Sequence, residues 1–109
     1  MQLGPLGVWT FLDALDARAS SEFAQRIEVL GYAALWMPEV VGRDPFTLIG
    51  FLSARTSRLV LATGIANVYA RDAIAMRAAH RSLAELSDGR FVLGLGVSHA
   101  RFVTGVQGA

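Results

Sequence analysis

The sequence predicts an α/β fold in which four parallel strands alternate with three helices. Two observations lead to this prediction. Short apolar runs alternate along the chain with longer segments of helical periodicity. Apolar residues make up 53% of the 109 residues and charged residues only 17%, which suits a parallel sheet that is buried on both faces. Strands that are separated by helices pair in parallel through right-handed crossovers.

The four predicted strands are short apolar runs, and we expect them to lie side by side in the order 1-2-3-4. Trp9 and Trp36 lie in the first two runs, where a tryptophan is more often a core residue than a ligand contact. The third run is unusually long and nearly all apolar until its end. The strands are predicted at residues 5–9, 33–37, 59–66 and 91–96.

Capping residues predict where the helices begin and end. The first helix ends at Gly31, because glycine freely adopts the left-handed conformation of a helix C-terminus. Asp44, which a proline follows, and Asp72 are placed to cap the free amides at the start of the second and third helices. The predicted apolar stripes are Phe23, Ile27 and Leu30 on the first helix, and Met76, Ala79, Leu83 and Leu86 on the third.

Residues 1–109 are expected to form a single partial domain. Periodicity alone leaves two architectures open, half of an eight-stranded barrel and a small doubly wound, flavodoxin-like sheet with strand order 2-1-3-4. The sequence stops soon after the fourth strand and has no helix to cover it. A finished four-stranded domain would leave that apolar strand at an open edge, which natural domains avoid. We therefore expect a parallel (β/α) half-barrel, the four N-terminal strands of a TIM (β/α)8 barrel.

Composition and charge argue against several classes of function. The formal net charge is +1 and the ten basic residues form no patch, so no nucleic-acid partner is expected. The chain has no cysteine, and no metal site is predicted. The longest uncharged stretch, residues 59–70, is shorter than the roughly 20 residues of a membrane-spanning helix. No basic segment and apolar leader precede the first strand, so we expect a cytoplasmic protein without a membrane partner.

Candidate functional residues follow from the strand ends, because parallel α/β folds carry their sites at the carboxyl ends of the strands. These ends are residues 9–11, 38–39, 64–71 and 96–99. A non-functional interpretation is open for both of the central candidates. Glu39 can be a solvated acid in a loop or a partner of Arg43, and residues 64–67 can be a strand end with a bulge. Gly94 and Gly96 do not form a dinucleotide fingerprint, because position 99 is histidine and no helical pattern follows. We expect these two glycines to make room for a ligand.

Three segments together resemble the luciferase-like monooxygenase superfamily, with the nearest likeness to its branch that uses the deazaflavin coenzyme F420. They are residues 31–39 (GYAALWMPE), 56–65 (TSRLVLATGI) and 86–98 (LSDGRFVLGLGVS), in the right order and spacing. The resemblance implies a (β/α)8 TIM barrel of roughly twice this length or more. It also implies an oxidoreductase that transfers a hydride between F420, or FMN as the alternative, and a small organic substrate, or a monooxygenase.

The same resemblance implies roles for residues at the strand ends. Glu39 matches an acidic residue near the reactive ring of the cofactor, although Val40 stands where the family often has histidine. Gly64, Ile65 and Ala66 match a bulge with a non-proline cis peptide that supports the ring, and Asn67 matches a partner for the polar edge of the ring. Two further residues at the last strand end complete the predicted site, Ser98 as a cofactor contact and His99 as a proton donor or cofactor contact.

The chain is expected to be inactive on its own. In this fold the loops after the last strands hold the phosphate-bearing tail of the cofactor. A chain that has only the first four strands would keep the ring-facing part of the site. Two alternatives remain, a non-catalytic half-barrel that pairs with another copy or a partner, and a small flavodoxin-like binding module. We expect a homo-oligomer.

Overall fold

The computed structural model describes residues 6–97, and the predicted site residues Ser98 and His99 lie outside this range. The strands are β1 (Gly7–Trp9), β2 (Ala34–Met37), β3 (Val60–Thr63), β4 (Ala66–Asn67), β5 (Phe91–Val92) and β6 (Leu95–Gly96). The helices are α1 (Ala17–Val29), α2 (Pro45–Ser53) and α3 (Ala73–Leu86). None of these helices is long and apolar enough to cross a bilayer.

The main sheet has the order β1-β2-β3-β5, and all its neighbouring strands are parallel. The predicted sequential order is therefore confirmed. A doubly wound sheet would place the first strand between the second and third, whereas β1 lies at the edge. The flavodoxin-like alternative is wrong for this reason.

The third and fourth predicted strands are each divided into two short pieces. β3 ends at Thr63, the peptide bond between Gly64 and Ile65 is cis, and β4 begins at Ala66. The bulge and the cis peptide predicted there are both present. β4 pairs in parallel with β6, so the strand ends form a second, two-stranded sheet. The interruption of the third strand is the predicted one, whereas the division of the fourth strand, predicted as one run over residues 91–96, was not expected.

The hydroxyl group of Thr63 is the physical reason for the break. Its Oγ1 donates a hydrogen bond to the carbonyl oxygen of Gly94 at 2.8 Å and accepts one from the Gly94 N–H at 2.9 Å. A side chain therefore takes the place of a backbone partner between the two strands. Beyond this point the backbone ladder resumes, since the Ala66 N–H donates to the Gly94 carbonyl oxygen at 2.7 Å.

The helix caps are largely where the sequence predicts them. The predicted cap Asp72 accepts the backbone N–H of Ala75 at 2.7 Å, and Gly31 has the positive φ of 93° expected at a helix end. Asp16, which the sequence pattern did not identify, caps α1 in the same way at 2.7 Å. Asp44 is at the predicted cap position of α2 but makes no hydrogen bond to a backbone amide. Its carboxylate instead accepts hydrogen bonds from the side chains of Thr47 and Arg71.

The helices cover one face of the main sheet. Leu35, Leu61 and Phe91 are register neighbours on β2, β3 and β5, and all three belong to the buried core. Ile49 and Leu52 of α2 are also fully buried in this cluster. The predicted stripes of α1 and α3 are confirmed at Ile27, Met76 and Leu83, but Leu30 and Leu86 at the helix ends are exposed.

The opposite face of the sheet, which we call the open face, carries Gly7, Trp9, Trp36 and Gly64. Trp9 and Trp36 are register partners on β1 and β2. A Cβ atom on Gly7 would lie 3.2 Å from Nε1 of Trp36, and one on Gly64 would lie 3.3 Å from Cδ1 of Trp9. The expectation that both tryptophans are core residues is wrong for Trp9, which is 55% exposed.

A buried carboxylate joins α1 to the start of β3. The Glu28 side chain accepts hydrogen bonds from the backbone N–H groups of Ser57, Arg58 and Leu59, with shortest distances of 3.1, 2.7 and 2.6 Å. Burial raises the pKa of Glu28, but these three N–H groups and the Arg58 charge outweigh burial, so the pKa lies below its usual value of 4.5.

Arg90 makes an equivalent connection at the start of β5. Its guanidinium donates hydrogen bonds to the carbonyl oxygens of Ser53, Leu59 and Ser87 at 2.8 to 2.9 Å. These oxygens belong to the end of α2, the start of β3 and the end of α3. Arg90 therefore satisfies backbone acceptors at two helix ends that would otherwise lack partners.

Candidate functional site

The candidate site lies at the carboxyl ends of β2 and β3, around residues 64–67. The Gly64 N–H donates to the carbonyl oxygen of Met37 at 2.8 Å, and the Glu39 N–H donates to the carbonyl oxygen of Ile65 at 3.0 Å. The structure therefore brings Glu39 together with the predicted Gly64, Ile65, Ala66 and Asn67. The predicted Ser98 and His99 lie beyond the described range.

The carboxylate of Glu39 is held by two partners. Its Oε1 accepts the backbone N–H of Asn67 and Nη1 of Arg71, both at 2.9 Å, and its Oε2 accepts Nη2 of Arg71 at 2.6 Å. The side chain of Glu39 is only 10% exposed. This two-point pairing fixes the carboxylate plane, because the donors of a guanidinium have a fixed planar arrangement.

The alternative expectation that Arg43 pairs with Glu39 is wrong. The Arg43 guanidinium donates to the carbonyl oxygen of Leu15, and Arg71 takes the predicted position beside Glu39. Arg71 also lies 3.0 Å from Asp44 Oδ1 and stacks over the Phe46 ring at 4.3 Å. The hydrogen bond to Glu39 is the main reason that the pKa of Arg71 is raised above its usual value.

Sequence reasoning did not single out Arg71. The signal available was its place directly before the helix cap Asp72 and at the end of an apolar strand. Arg71 is 32 positions from Glu39 along the chain, so their pairing can be inferred only once the parallel strands are aligned.

The four residues of segment 64–67 differ in their access to a ligand. Ile65 is 39% exposed and Gly64 is partly exposed, whereas Ala66 and Asn67 are buried. The Asn67 side chain accepts the backbone N–H of Tyr69 at 2.9 Å through Oδ1. A flat molecule laid against this segment would therefore contact Gly64 and Ile65 directly.

Trp9 contacts the same segment from β1. Its indole Nε1 donates a hydrogen bond of 2.7 Å to the carbonyl oxygen of Gly64. The Trp9 ring also meets Phe11 edge to face, with ring centroids 5.1 Å apart and an angle of 75° between the planes. The sequence identifies residues 9–11 as a strand end, but the pattern alone gave these aromatic residues no role.

Gly94 and Gly96 have a different structural role from the one that the sequence suggested. A Cβ atom on Gly94 would lie 2.2 Å from the carbonyl oxygen of Thr63, and one on Gly96 would lie 2.1 Å from Cδ1 of Ile65. The space beside each glycine is filled by the neighbouring strand end. The expectation that they make room for a ligand is therefore wrong, and they allow close strand contact instead.

An apolar groove of about 400 Å³ lies between α3 and the segment of residues 93–95. Met76, His80, Leu93 and Leu95 are among its lining residues. His80 is exposed and lies near the Phe91 ring, with 5.7 Å between ring centroids. Within residues 6–97, no group of three or more His, Asp or Glu side chains is arranged to hold a metal ion.

Comparison with known proteins gives the family. Residues 5–109 match the family described as luciferase-like monooxygenase. The chain belongs to this family. It is 33% identical over 109 residues to the Mycobacterium tuberculosis protein named "Putative coenzyme F420-dependent oxidoreductase Rv3520c". It is 32% identical over 77 residues to 5,10-methylenetetrahydromethanopterin reductase of Methanolobus tindarius, an alignment that covers 70% of this chain.

Solved structures of the family have the same arrangement of strands and helices. The coenzyme F420 dependent tetrahydromethanopterin reductase of Methanopyrus kandleri aligns with 97% of this chain at a TM-score of 0.86 and 18% identity. The oxygenating constituent of 3,6-diketocamphane monooxygenase from Pseudomonas putida, in complex with FMN, aligns with 95% at a TM-score of 0.79 and 13% identity. The predicted fold class, the N-terminal part of a luciferase-like TIM barrel, is thereby confirmed.

The chain is short beside these relatives. It spans 30% of the M. tuberculosis protein, 24% of the M. tindarius protein and 30% of the M. kandleri chain. The aligned region contains four of the strand positions of the barrel and the strand ends around Gly64.

Proposed function

We propose that this chain forms the ring-binding part of an oxidoreductase that uses coenzyme F420, with FMN as the alternative cofactor. The observation that carries the proposal is the strand end at Gly64 and Ile65, which presents accessible backbone beside the buried carboxylate of Glu39. The M. tuberculosis relative, which is 33% identical, is named as a putative coenzyme F420-dependent oxidoreductase, and this name favours F420. When bound, the cofactor would supply hydride transfer to or from a small organic substrate.

The residues fit a flat ring with one polar edge. Gly64 offers backbone without a side chain, Ile65 offers an apolar side chain that is 39% exposed, and the exposed Trp9 lies beside them. In this proposal Ala66 and Asn67 support the ring from behind, Glu39 is the acidic group near the reactive atoms, and Arg71 fixes the orientation of Glu39. Ser98 and His99 are proposed as further contacts, with His99 as the proton donor.

The 109-residue chain alone is proposed to bind the cofactor weakly and to be inactive. The M. tuberculosis relative is more than three times as long as this chain, which spans 30% of it. In TIM barrels the phosphate group of a ligand is usually held by loops after the last strands. Ring and tail anchoring act together on one ligand, so losing the tail contacts lowers affinity strongly.

A titration tests this proposal. Purified chain would be titrated with F420 and with FMN, and we expect dissociation constants above about 1 μM. Ile65→Glu should abolish this weak binding, because it adds charge and bulk where the ring would lie. Val29→Glu is the matched control, since Val29 is 81% exposed on α1, away from the strand ends. Equal binding by the wild-type, Ile65→Glu and Val29→Glu chains would contradict the proposed site.

A second candidate is a non-catalytic half-barrel that pairs with another copy. The exposure of Trp9, Phe11 and Ile65 favours it, because large apolar side chains grouped on one surface commonly mark an interface. A chain that forms a stable dimer and shows no response to F420 or FMN at millimolar concentration would support this candidate over the first.

A further inference from the structure

The Trp9 side chain combines high exposure with a fixed orientation. It is 55% exposed, yet its indole N–H is committed to the Gly64 carbonyl oxygen at 2.7 Å. An exposed aromatic side chain normally keeps some rotational freedom. Here the hydrogen bond links the end of β1 to the end of β3, across β2.

Neighbouring rings restrict Trp9 further. Phe11 packs edge to face against it at 5.1 Å, and a Cβ atom on Gly64 would lie only 3.3 Å from Cδ1 of Trp9 and 3.4 Å from Cε3 of Trp36. Aromatic pairs in this geometry are favourable beyond the area they bury. Trp9 is therefore a rigid, flat, apolar surface before any ligand arrives, and an ordered surface loses little entropy when a ligand binds.

We propose that Trp9 and Phe11 form an aromatic wall against which the flat conjugated ring of the ligand packs. This inference rests on the proposed function and adds two residues to its site. The indole N–H already has its partner in Gly64, so the wall recognises a ring by stacking and apolar contact rather than by hydrogen bonding. Trp9 is also a positioning residue, because its hydrogen bond orients the carbonyl group of Gly64.

The wall favours one ligand chemistry. A flat, uncharged and conjugated ring, such as the tricyclic part of a deazaflavin or flavin, can cover the exposed face of Trp9. A saturated ligand gains less from that face, because aromatic stacking requires a second flat ring. A purely structural Trp9 would instead affect stability and leave ring binding unchanged.

Nuclear magnetic resonance can follow the wall directly, since the chain has only two tryptophans and therefore two indole N–H signals. Trp9→Phe and Trp36→Phe assign these signals. The wild-type chain would then be titrated with 5-deazariboflavin and with riboflavin, which carry the ring without a phosphate tail. We expect the Trp9 indole signal and the amide signals of Gly64 and Ile65 to shift together, with a smaller shift for Trp36.

Variants measure how much the wall contributes. Trp9→Ala should weaken ring binding about three- to tenfold, the loss expected for one aromatic contact. Trp9→Phe keeps a flat ring and should bind within about twofold of the wild type, which keeps the test valid if Trp9→Ala does not fold. Tyr32→Ala is the matched control, because Tyr32 is an exposed aromatic residue at the opposite end of β2.

The outcomes separate this inference from the proposed function. Shifts at Gly64 and Ile65, with an unmoved Trp9 indole signal and unchanged binding by Trp9→Ala, would overturn the wall and leave the ring site standing. Absence of any shift in residues 64–67 at millimolar ring concentration would overturn both. Joint shifts with weaker binding by Trp9→Ala and not by Tyr32→Ala would support both.

Discussion

Arg71 joins three parts of the site through one guanidinium group. It contacts Glu39 at the end of β2, Asp44 at the start of α2 and the Phe46 ring within α2. Its side chain is 19% exposed and that of Glu39 is 10% exposed, so solvent screens their interaction less than it screens a surface pair. Removing Arg71 would leave the nearly buried Glu39 carboxylate without this charged partner.

Arg71→Met should therefore destabilise the chain by about 1–3 kcal/mol, the loss expected for hydrogen bonds to a charged group. Arg77→Met is the matched control on α3, where the side chain is exposed and we expect a change within about 0.5 kcal/mol. The free energy of unfolding would be measured in urea. Equal stability of the two variants would show that the Glu39 pair does not contribute to folding.

Gly94 and Gly50 give a second pair of residue-scale predictions with opposite signs. Gly94→Ala should cost about 1–3 kcal/mol or more, because its Cβ would lie 2.2 Å from the backbone oxygen of Thr63. Gly50→Ala should be neutral or stabilise by up to about 1 kcal/mol. Gly50 lies within α2, and its Cβ would be at an ordinary contact distance of 3.6 Å from Leu83 of α3. Thermal unfolding of both variants checks this, and a stable Gly94→Ala chain would contradict the close strand contact.

At the scale of elements, the connection from α1 to β3 depends on the charge of Glu28. Its pKa is lower in the folded state than the usual value of 4.5. A depressed folded-state pKa means that the stabilisation is present above the unfolded-state pKa and is lost as the pH falls through the folded-state pKa. The stabilisation by Glu28 should therefore begin to decrease when the pH falls below about 4.5.

Glu28→Gln should lower the free energy of unfolding by about 1–3 kcal/mol at pH 7, because three backbone N–H groups lose a charged acceptor. The difference from the wild type should shrink as the pH falls below about 4.5. Glu22→Gln is the control, since Glu22 is 66% exposed and pairs with the exposed Arg18. A constant difference from pH 7 to pH 3 would exclude a titrating Glu28.

The elements themselves could be predicted because their signals are local. The apolar runs, Asp72 as a cap and Gly31 as a helix end depend on residues within one or two turns. The fine structure of the strand ends depends on partners about 30 residues away, as with Thr63 and Gly94. Arg71 and Trp9 were missed as site residues for the same reason, since their partners lie 32 and 55 residues distant. Resemblance to a family supplied Glu39 and residues 64–67, and those roles stay predictions.

At the scale of the molecule, the two faces of the main sheet are unequal. Helices cover Leu35 and Leu61, while the open face leaves Trp9 more than half exposed. Phe11, Ile65 and Leu95 are also between 39% and 51% exposed near the strand ends. Such a surface is expected to associate in water.

We expect the purified chain to be larger than a monomer at about 100 μM and to shift towards the monomer on dilution. Ile65→Glu should favour the monomer, because association would bury the new charge. Val29→Glu, on the helix side, should leave the distribution unchanged. Sedimentation velocity at several concentrations measures this, and a monomeric wild-type chain at all of them would contradict the expected homo-oligomer.

The polar connections of Glu28, Glu39, Thr63 and Arg90 share a common span. Apart from the contact of Arg90 with Ser87, their partners lie 28 to 37 residues away along the chain, which is about the length of one strand and one helix. Each of these connections therefore links a pair made of one helix and its following strand to the next such pair along the chain. A chain emerging from the ribosome can complete each of these connections as soon as the following unit has left the exit tunnel. Such a fold can grow stepwise from its N-terminus, and no early segment has to wait for a distant partner before its buried charges are satisfied.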